Sequence, residues 1–196
     1  MGVREAKKEQ VRQRLLEVAQ EKFALQGYEN TTVADIVVDA GIGRGTFYNY
    51  FVDLKGIFDE IIDHHYQIMR IKVKEARAKQ KTIYDFLYAS FITYLDYVSQ
   101  PPLQAFYVNN QAYIRSISFG SETIQHILRE ITEDLQAAGL ISEKTKAQEY
   151  QLLSYVLVGT VSEMFFNLYH SDINISNEDL AQYLSDLFVN GLGSHR

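Results

Sequence analysis

Cysteine and tryptophan are absent from the 196 residues, and there are only two prolines. Without cysteine there is no disulfide framework, no thiolate metal site and no cysteine nucleophile, a composition that accords with a reducing cytoplasm. Two prolines and 11 glycines are too few for the many tight turns of an all-β fold or for a disordered chain, so helices are the default. No run of about eighteen apolar residues is expected to span a bilayer, and the N-terminus lacks the apolar core of a signal peptide. These absences predict a cytoplasmic chain with no membrane partner. Enzyme signatures are missing too: there is no glycine-rich phosphate loop, no metal-ligand spacing of histidine and carboxylate, and no G-x-S-x-G nucleophile motif. No catalytic residue, metal or cofactor is expected.

The hydrophobic content of 46% is enough for a full core, in one large domain or two small ones. A net charge of -6 is unusual for a nucleic-acid binder, so its distribution matters more than its sum. Residues 1–56 hold eight Lys/Arg and eight Asp/Glu, whereas residues 57–196 hold eleven and seventeen. The acid therefore lies in the second part. Near the N-terminus Arg4, Lys7, Lys8, Arg12 and Arg14 face only Glu5 and Glu9. A basic start and an acidic body would orient the molecule on DNA.

Residues 31–55, TTVADIVVDAGIGRGTFYNYFVDLK, organise the chain. Val33, Ile36, Val37 and Ala40 recur at the spacing of one helical face, with Thr32 and Asp35 placed to cap its start and Gly41 to end it. A second helix over residues 44–50 is too short to be stable alone, and Phe47 and Phe51, four apart, can anchor one side of it. Arg44, Gly45, Thr46, Tyr48, Asn49 and Tyr50 are left for other faces. A packed helix, a glycine turn and a short helix bearing Arg, Thr, Tyr and Asn form a helix-turn-helix pattern whose second helix enters the DNA major groove. Arginine pairs with guanine and asparagine with adenine, while threonine and tyrosine reach phosphate oxygens and Gly45 lets the backbone approach. Lys55 begins the next helix, where an ammonium and a helix N-terminus together favour phosphate.

Gly27-Tyr28, Thr31-Thr32-Val33, Ile36, Ala40-Gly41, Gly43, Gly45-Thr46-Phe47-Tyr48, Tyr50-Phe51 and Lys55 closely resemble the DNA-binding domain of the TetR/AcrR family of bacterial transcriptional regulators. The resemblance implies DNA contacts from Thr32, Arg44, Gly45, Thr46, Tyr48, Tyr50 and Lys55, with Asn49 at a variable contact position. Tyr50 stands where the family often has histidine, and Arg44 where it varies widely, so the operator sequence does not follow from the resemblance.

The remaining periodicity predicts long helices. The first covers residues 4–26, with Val11, Leu15, Val18, Ala19 and Phe23 buried and Gly27 ending it. A strut over residues 54–79 follows, and the six cations of its far end, residues 70–81, are read as solvated. His64 and His65 are adjacent, point about 100° apart and cannot chelate one metal together. Helices over 82–99, 103–117 and 122–138 follow, with Pro101-Pro102 breaking the chain before the second of these and Ser121 and Gly139 bounding the third. Ser142 is placed to cap a very apolar helix to residue 170, and Ser176 with Asp179 a last helix over 177–190.

Aromatic residues make up 13% of the chain. Their concentration after residue 83 suggests an elongated effector site among helices, for which Met69, Phe91, Tyr94, Phe106, Tyr107, Asn110, Tyr113, Phe119 and Tyr155 are the candidates. Taken one at a time, these rings read as ordinary core and interface; it is their concentration that points to a pocket. The last two helices offer a dimer interface through Leu152, Gly159, Ser162, Glu163, Phe166, Leu184, Leu187 and Phe188, or else complete the chain's own core.

The sequence thus predicts an all-α protein: a three-helix, helix-turn-helix DNA-binding domain over residues 1–53, and a helical bundle over 54–196 forming the ligand pocket and dimer interface. The expected function is that of a homodimeric, nucleoid-associated repressor, released from a pseudo-palindromic double-stranded DNA operator by a small hydrophobic or aromatic effector. Two rival readings stand beside it: a DNA-binding regulator with no small-molecule ligand, and a helical small-molecule-binding protein with a vestigial reader.

Overall fold

Capping side chains account for where four of the helices begin. The structure, a computed structural model describing residues 2–118, 120–142 and 144–191, is all-helical among those residues. Its helices are α1 (Val3–Gln26), α2 (Val33–Ala40), α3 (Arg44–Phe47), α4 (Leu54–Arg77), α5 (Ile83–Val98), α6 (Pro101–Asn109), α7 (Gln111–Ser118), α8 (Glu122–Ala138), α9 (Ala147–Tyr169) and α10 (Asn177–Asn190). Thr32, Thr82, Ser121 and Ser176 each accept a bond from the backbone N–H three residues on, satisfying a donor that the first turn of α2, α5, α8 or α10 leaves open. Gly41 and Gly139 end α2 and α8 in the left-handed conformation.

Several boundaries differ from the sequence reading. Pro101 and Pro102 start α6 instead of standing before it, since proline in a first turn loses no helical hydrogen bond. The expected helix over 103–117 is two helices, because Asn110 between them turns its side chain inward. Ser142 does not cap α9; its hydroxyl accepts from Lys144 N–H, and α9 starts after Lys146, whose N–H donates to Glu149 at 2.7 Å. Packing also divides the chain elsewhere than at 53/54. One unit comprises the described residues of Met1–His65 and Pro101–Arg115, the other those of Tyr66–Gln100 and Ser116–Arg196.

In the first unit α1 lies along α2 and α6. Leu15, Val18, Ala19 and Phe23 of α1 are buried with Ile36, Phe47, Ile57, Phe58 and Phe106. Phe58 packs edge-on against Phe23 with centroids 5.0 Å apart and stacks on Phe106 at 5.3 Å. Asn110 fastens α6 to the end of α1: its Nδ2 donates to the carbonyls of Phe23 (2.9 Å) and Phe106 (2.6 Å), and its Oδ1 accepts from Tyr28 N–H at 2.6 Å. Gly27 makes that approach possible. It has φ +79°, and a Cβ there would stand 2.8 Å from the Asn109 carbonyl oxygen.

In the second unit α5 packs on α10, and α8 on α9. Arg70, Lys74 and Arg77 of α4, expected to be solvated, are instead bonded to α8. Arg70 Nη1 meets both Glu130 oxygens at 2.8 Å, Lys74 Nζ meets one at 2.9 Å, and Arg77, only 4% exposed, donates to Asp134 at 3.0 Å through Nε. Burial would raise the Glu130 carboxyl, but Arg70 and Lys74 outweigh it and hold the group at about 2. The acid that recruits these cations lies some sixty residues away, as in the Arg70–Glu130 pair with a separation of 60, so no local pattern announces it.

Helix α9 bears on the expectation that nothing here spans a bilayer. It is long and apolar enough to cross a bilayer by length and composition alone. Glu163 and scattered hydroxyls interrupt the run without lowering its average much. A core helix of a water-borne protein meets the same criterion, and α9 packs against α8 and α5. Its other face shows Leu152 at 63% exposure and Val156 at 50%.

Replacing Glu130 by Gln should destabilise the chain by about 2 kcal/mol, less than the ~3–5 of a fully enclosed pair because Arg70 and Lys74 still reach water. The Glu130 carboxyl is depressed in the folded state, so its contribution is complete above its unfolded value near 4.5 and is lost as pH falls from there toward 2. Urea midpoints measured from pH 7 down to 2 should therefore approach one another for the wild type and the Gln variant as the acid end is reached.

Candidate nucleic-acid interface

The reading element is built on two buried rings. Gly41 N–H bonds to the Val38 carbonyl at 3.1 Å and Ile42 N–H to that of Val37 at 3.0 Å, closing α2 and redirecting the chain. Gly43 then starts α3, its carbonyl accepting from Thr46 N–H at 2.9 Å. The expected helix over 44–50 is shorter, ending at Phe47. It continues as a hydrogen-bonded turn in which Tyr50 and Phe51 N–H both reach the Phe47 carbonyl, at 2.9 and 3.0 Å. Phe47 and Phe51 are buried and fix the turn to the core, with the Arg12 guanidinium 5.6 Å from the Phe51 centroid and paired with Glu60. Lys22 and Asp39, 2.6 Å apart, tie α1 to α2.

With the phenylalanines turned inward, Arg44, Gly45, Tyr48 and Asn49 are exposed, while Thr46 and Tyr50 are half-buried. Nothing lies within 4 Å of a Cβ built on Gly45. The fold itself therefore does not require glycine there, whereas a backbone lying against DNA does. Arg4, Glu5, Lys7, Lys8 and Val11 of α1 form, with Asn49 and Tyr50, a shallow groove of about 550 Å³. Three cations thus line a depression that opens beside two expected contact residues.

Two of the expected contacts are engaged internally. The Thr32 hydroxyl donates to Asp35 at 2.7 Å and accepts from Asp35 N–H at 3.3 Å, and this hydroxyl bond holds the Asp35 carboxyl below the usual range. Lys55 is exposed but paired with Asp59, the partner chiefly responsible for raising the ammonium above its ordinary value. Asp59 had no place in the sequence reading; its one signal is the i, i+4 spacing from Lys55.

The effector candidates divide between the units. In the first, Phe106 and Tyr107 are buried, Asn110 is bonded to three backbone groups, and Tyr113 stacks on Tyr28 with centroids 4.1 Å apart. His65 is buried against Phe106 and Tyr107; burial, with a lesser contribution from His64, lowers it to about 4, so it is neutral at pH 7. In the second unit Met69 and Phe91 are buried, Tyr155 is half-buried, and Tyr94 donates to Ser162 at 3.3 Å with burial pushing its phenol up. Phe119 lies outside the described residues. Of the interface candidates, Leu152 and Glu163 are exposed, Gly159, Ser162, Leu187 and Phe188 half-buried, and Phe166 and Leu184 buried in the chain's own core.

A short helix behind a glycine turn, pinned by two phenylalanines and turning arginine, tyrosine and asparagine outward, is the arrangement of a helix-turn-helix DNA-binding protein. The sequence model of the family described as "Bacterial regulatory proteins, tetR family" matches residues 15–61, which span this element and the helices bracing it. The chain is 23% identical over 184 residues to the helix-turn-helix-type transcriptional regulator YhgD of Bacillus subtilis (strain 168), covering 92% of this chain and 96% of that protein. Its fold is similar to that of the fatty acid degradation regulator FadR from Bacillus halodurans (TM-score 0.72, 16% identity, 92% of this chain and 95% of that one). It is similar also to the transcriptional regulator FadR from Bacillus subtilis, solved in complex with stearoyl-CoA (TM-score 0.70, 18% identity, 92% and 98%). The match at residues 15–61 and the likeness along nearly the whole chain support a regulator of the TetR family.

Changing Gly45 to Ala separates fold from reading. Removing a glycine from a helix should leave stability unchanged or raise it by about 0.5–1 kcal/mol, while DNA affinity falls. Thermal melts and fluorescence anisotropy on duplex DNA check both; a matched loss of stability and affinity would mean that the glycine serves the fold.

Proposed function

We propose that the chain is a homodimeric repressor acting in the cytoplasm on chromosomal DNA. Two copies of the Arg44–Phe47 helix and the turn after it would enter successive major grooves of a pseudo-palindromic operator, since a two-fold protein asks for a two-fold site. The observation that carries this reading is the exposure of Arg44, Gly45, Tyr48 and Asn49 on a turn anchored by buried Phe47 and Phe51. Arg44 and Asn49 have the chemistry for base edges; Thr32, Thr46, Tyr48, Tyr50 and Lys55 have it for phosphate. Dimerisation through α9 is supported by Leu152, Val156, Gly159 and Glu163, which recur at helical spacing on its less covered face.

Release is by a small hydrophobic or aromatic effector held in the helical body. The aromatic content supports this, and so does the FadR of Bacillus subtilis, which binds stearoyl-CoA within a similar fold. An acyl chain is accordingly the first effector class to try. The effector releases DNA only if it binds more tightly to the conformation in which the two readers are wrongly spaced.

Selection of bound sequences from random duplex DNA with the purified protein should enrich two half-sites related by a dyad. Arg44→Ala should then relax preference at one position of each half-site at a cost of about 1–3 kcal/mol on the preferred sequence, whereas Tyr48→Phe should weaken all sequences alike. No enrichment at moderate salt would defeat the reading, and equal losses on every sequence for Arg44→Ala would remove its role as a base reader.

A further inference from the structure

The pairing of Lys55 with Asp59 joins a second contact made from a remote part of the chain. Asp59 is half-buried on α4, one turn after Lys55, and its two oxygens have different partners. Oδ2 takes the Lys55 ammonium, and Oδ1 accepts from the Tyr113 hydroxyl of α7 at 3.4 Å. Tyr113 is itself held in place. Its ring stacks on Tyr28 at 4.1 Å and meets Phe58 edge-on at 4.9 Å, while Asn110, three residues earlier, is bonded to the backbone of Phe23 and Tyr28. Lys55, by contrast, lies in the first turn of α4, with Asp53 accepting from Gly56 N–H at 2.8 Å beside it.

We propose that Asp59 is an internal competitor of DNA phosphate for Lys55, and that Tyr113 is the positioning residue that keeps the carboxylate turned toward the lysine. The inference rests on Lys55 being a phosphate contact, as in the function proposed above. An exposed i, i+4 ion pair alone is worth little, because both side chains are free to hydrate separately. Here one partner is not free. The Tyr113 hydroxyl occupies one oxygen of Asp59 and orients the other, so the carboxylate keeps its place when phosphate approaches. Lys55 then meets DNA only by leaving Asp59. A movement of α7 that withdraws the hydroxyl lets Asp59 swing into solvent and frees the lysine. The charge that α4 presents to DNA is thus set by a residue 54 positions away from the acid it bonds.

The test is a set of double-mutant cycles on full-length protein, read by fluorescence anisotropy on the selected operator across a salt series, with thermal melts verifying that each variant is folded. Asp59→Asn should tighten binding about threefold and steepen the dependence of log K on log salt by up to one unit. Lys55→Gln should weaken binding, and in the Lys55→Gln background Asp59→Asn should give no gain. Tyr113→Phe keeps the stacked ring; it should tighten binding by less than Asp59→Asn and have no effect once Asp59 is Asn. The inference is overturned if Asp59→Asn leaves affinity and salt slope unchanged, if its gain persists without Lys55, or if Tyr113→Phe acts equally with and without Asp59. Failure of the DNA-reading assignment looks different. There the wild type enriches no sequence and this inference falls with it, whereas a wild type that binds its site while Lys55→Gln costs nothing sinks the inference and leaves the reader standing.

Discussion

A helix of four residues closes about one turn, and nucleation alone makes such a piece unstable in water. The position of α3 is therefore decided by whatever surrounds Phe47 and Phe51, and the rest of the first unit can be traced outward from those two rings. Arg12 lies over Phe51 and pairs with Glu60, which joins α1 to α4 across the ring that ends the reader. Helix α2, with Ile36 and Val37 buried, packs on α3, and Lys22 with Asp39 keeps α2 on α1. Behind them Phe23, Phe58 and Phe106 form a second aromatic layer, which brings in α6. A helix remote in sequence thus becomes part of the scaffold of the DNA reader, and Asn110 secures it with hydrogen bonds that all go to backbone.

Charge follows the same economy of local means. A chain of net charge -6 cannot rely on a long-range field to draw in DNA, and the cationic stretch after residue 70 does not help, since Arg70, Lys74 and Arg77 are engaged by Glu130 and Asp134. What remains near the reader is a small set of cations, Arg44 on α3 and Arg4, Lys7 and Lys8 beside Asn49 and Tyr50, with Lys55 at the start of α4 held by Asp59. On the proposed reading few cations would meet phosphate, so the loss of any one of these charges would remove a larger share of the electrostatic part of binding than on a strongly basic protein.

Features governed by neighbours in sequence were legible, and those governed by distant partners were not. The caps at Thr32, Ser121 and Ser176 and the stops at Gly41 and Gly139 follow from rules that act within four residues, and the structure has them all. The helix-turn-helix was legible for the same reason: its spacing of apolar, glycine and polar residues fits within 25 positions. At the start of α9 two local rules competed. Ser142 offered a hydroxyl and Lys146–Glu149 a reciprocal carboxylate cap, and the second prevailed. The α6–α7 break depends on Asn110 finding Phe23 and Tyr28, and the ion pairs between α4 and α8 on Arg70 and Lys74 finding Glu130, pairings no periodicity reveals. The roles assigned to Asn110 and Tyr113 as effector contacts were drawn from residue type alone. Their observed partners, backbone amides for one and Tyr28 with Asp59 for the other, lie in the DNA-reading unit.

The shortness of α3 also bears on the proposed dimer. Four helical residues rise about 6 Å, less than the span of two base-pair steps. Even with the following turn, such an element can reach only a few base edges, and a site of that length recurs by chance throughout a genome. A single copy could bind DNA, but it could not choose one operator. Two copies related by a dyad square the selectivity without lengthening the reader, provided that something holds them at a fixed spacing. An apolar face with Leu152 and Val156 turned outward is costly on a lone chain in water and favourable between two. On the proposed dimer, the brief reader and the exposed apolar face of α9 would answer one requirement, that specificity come from symmetry and not from the length of any single contact surface.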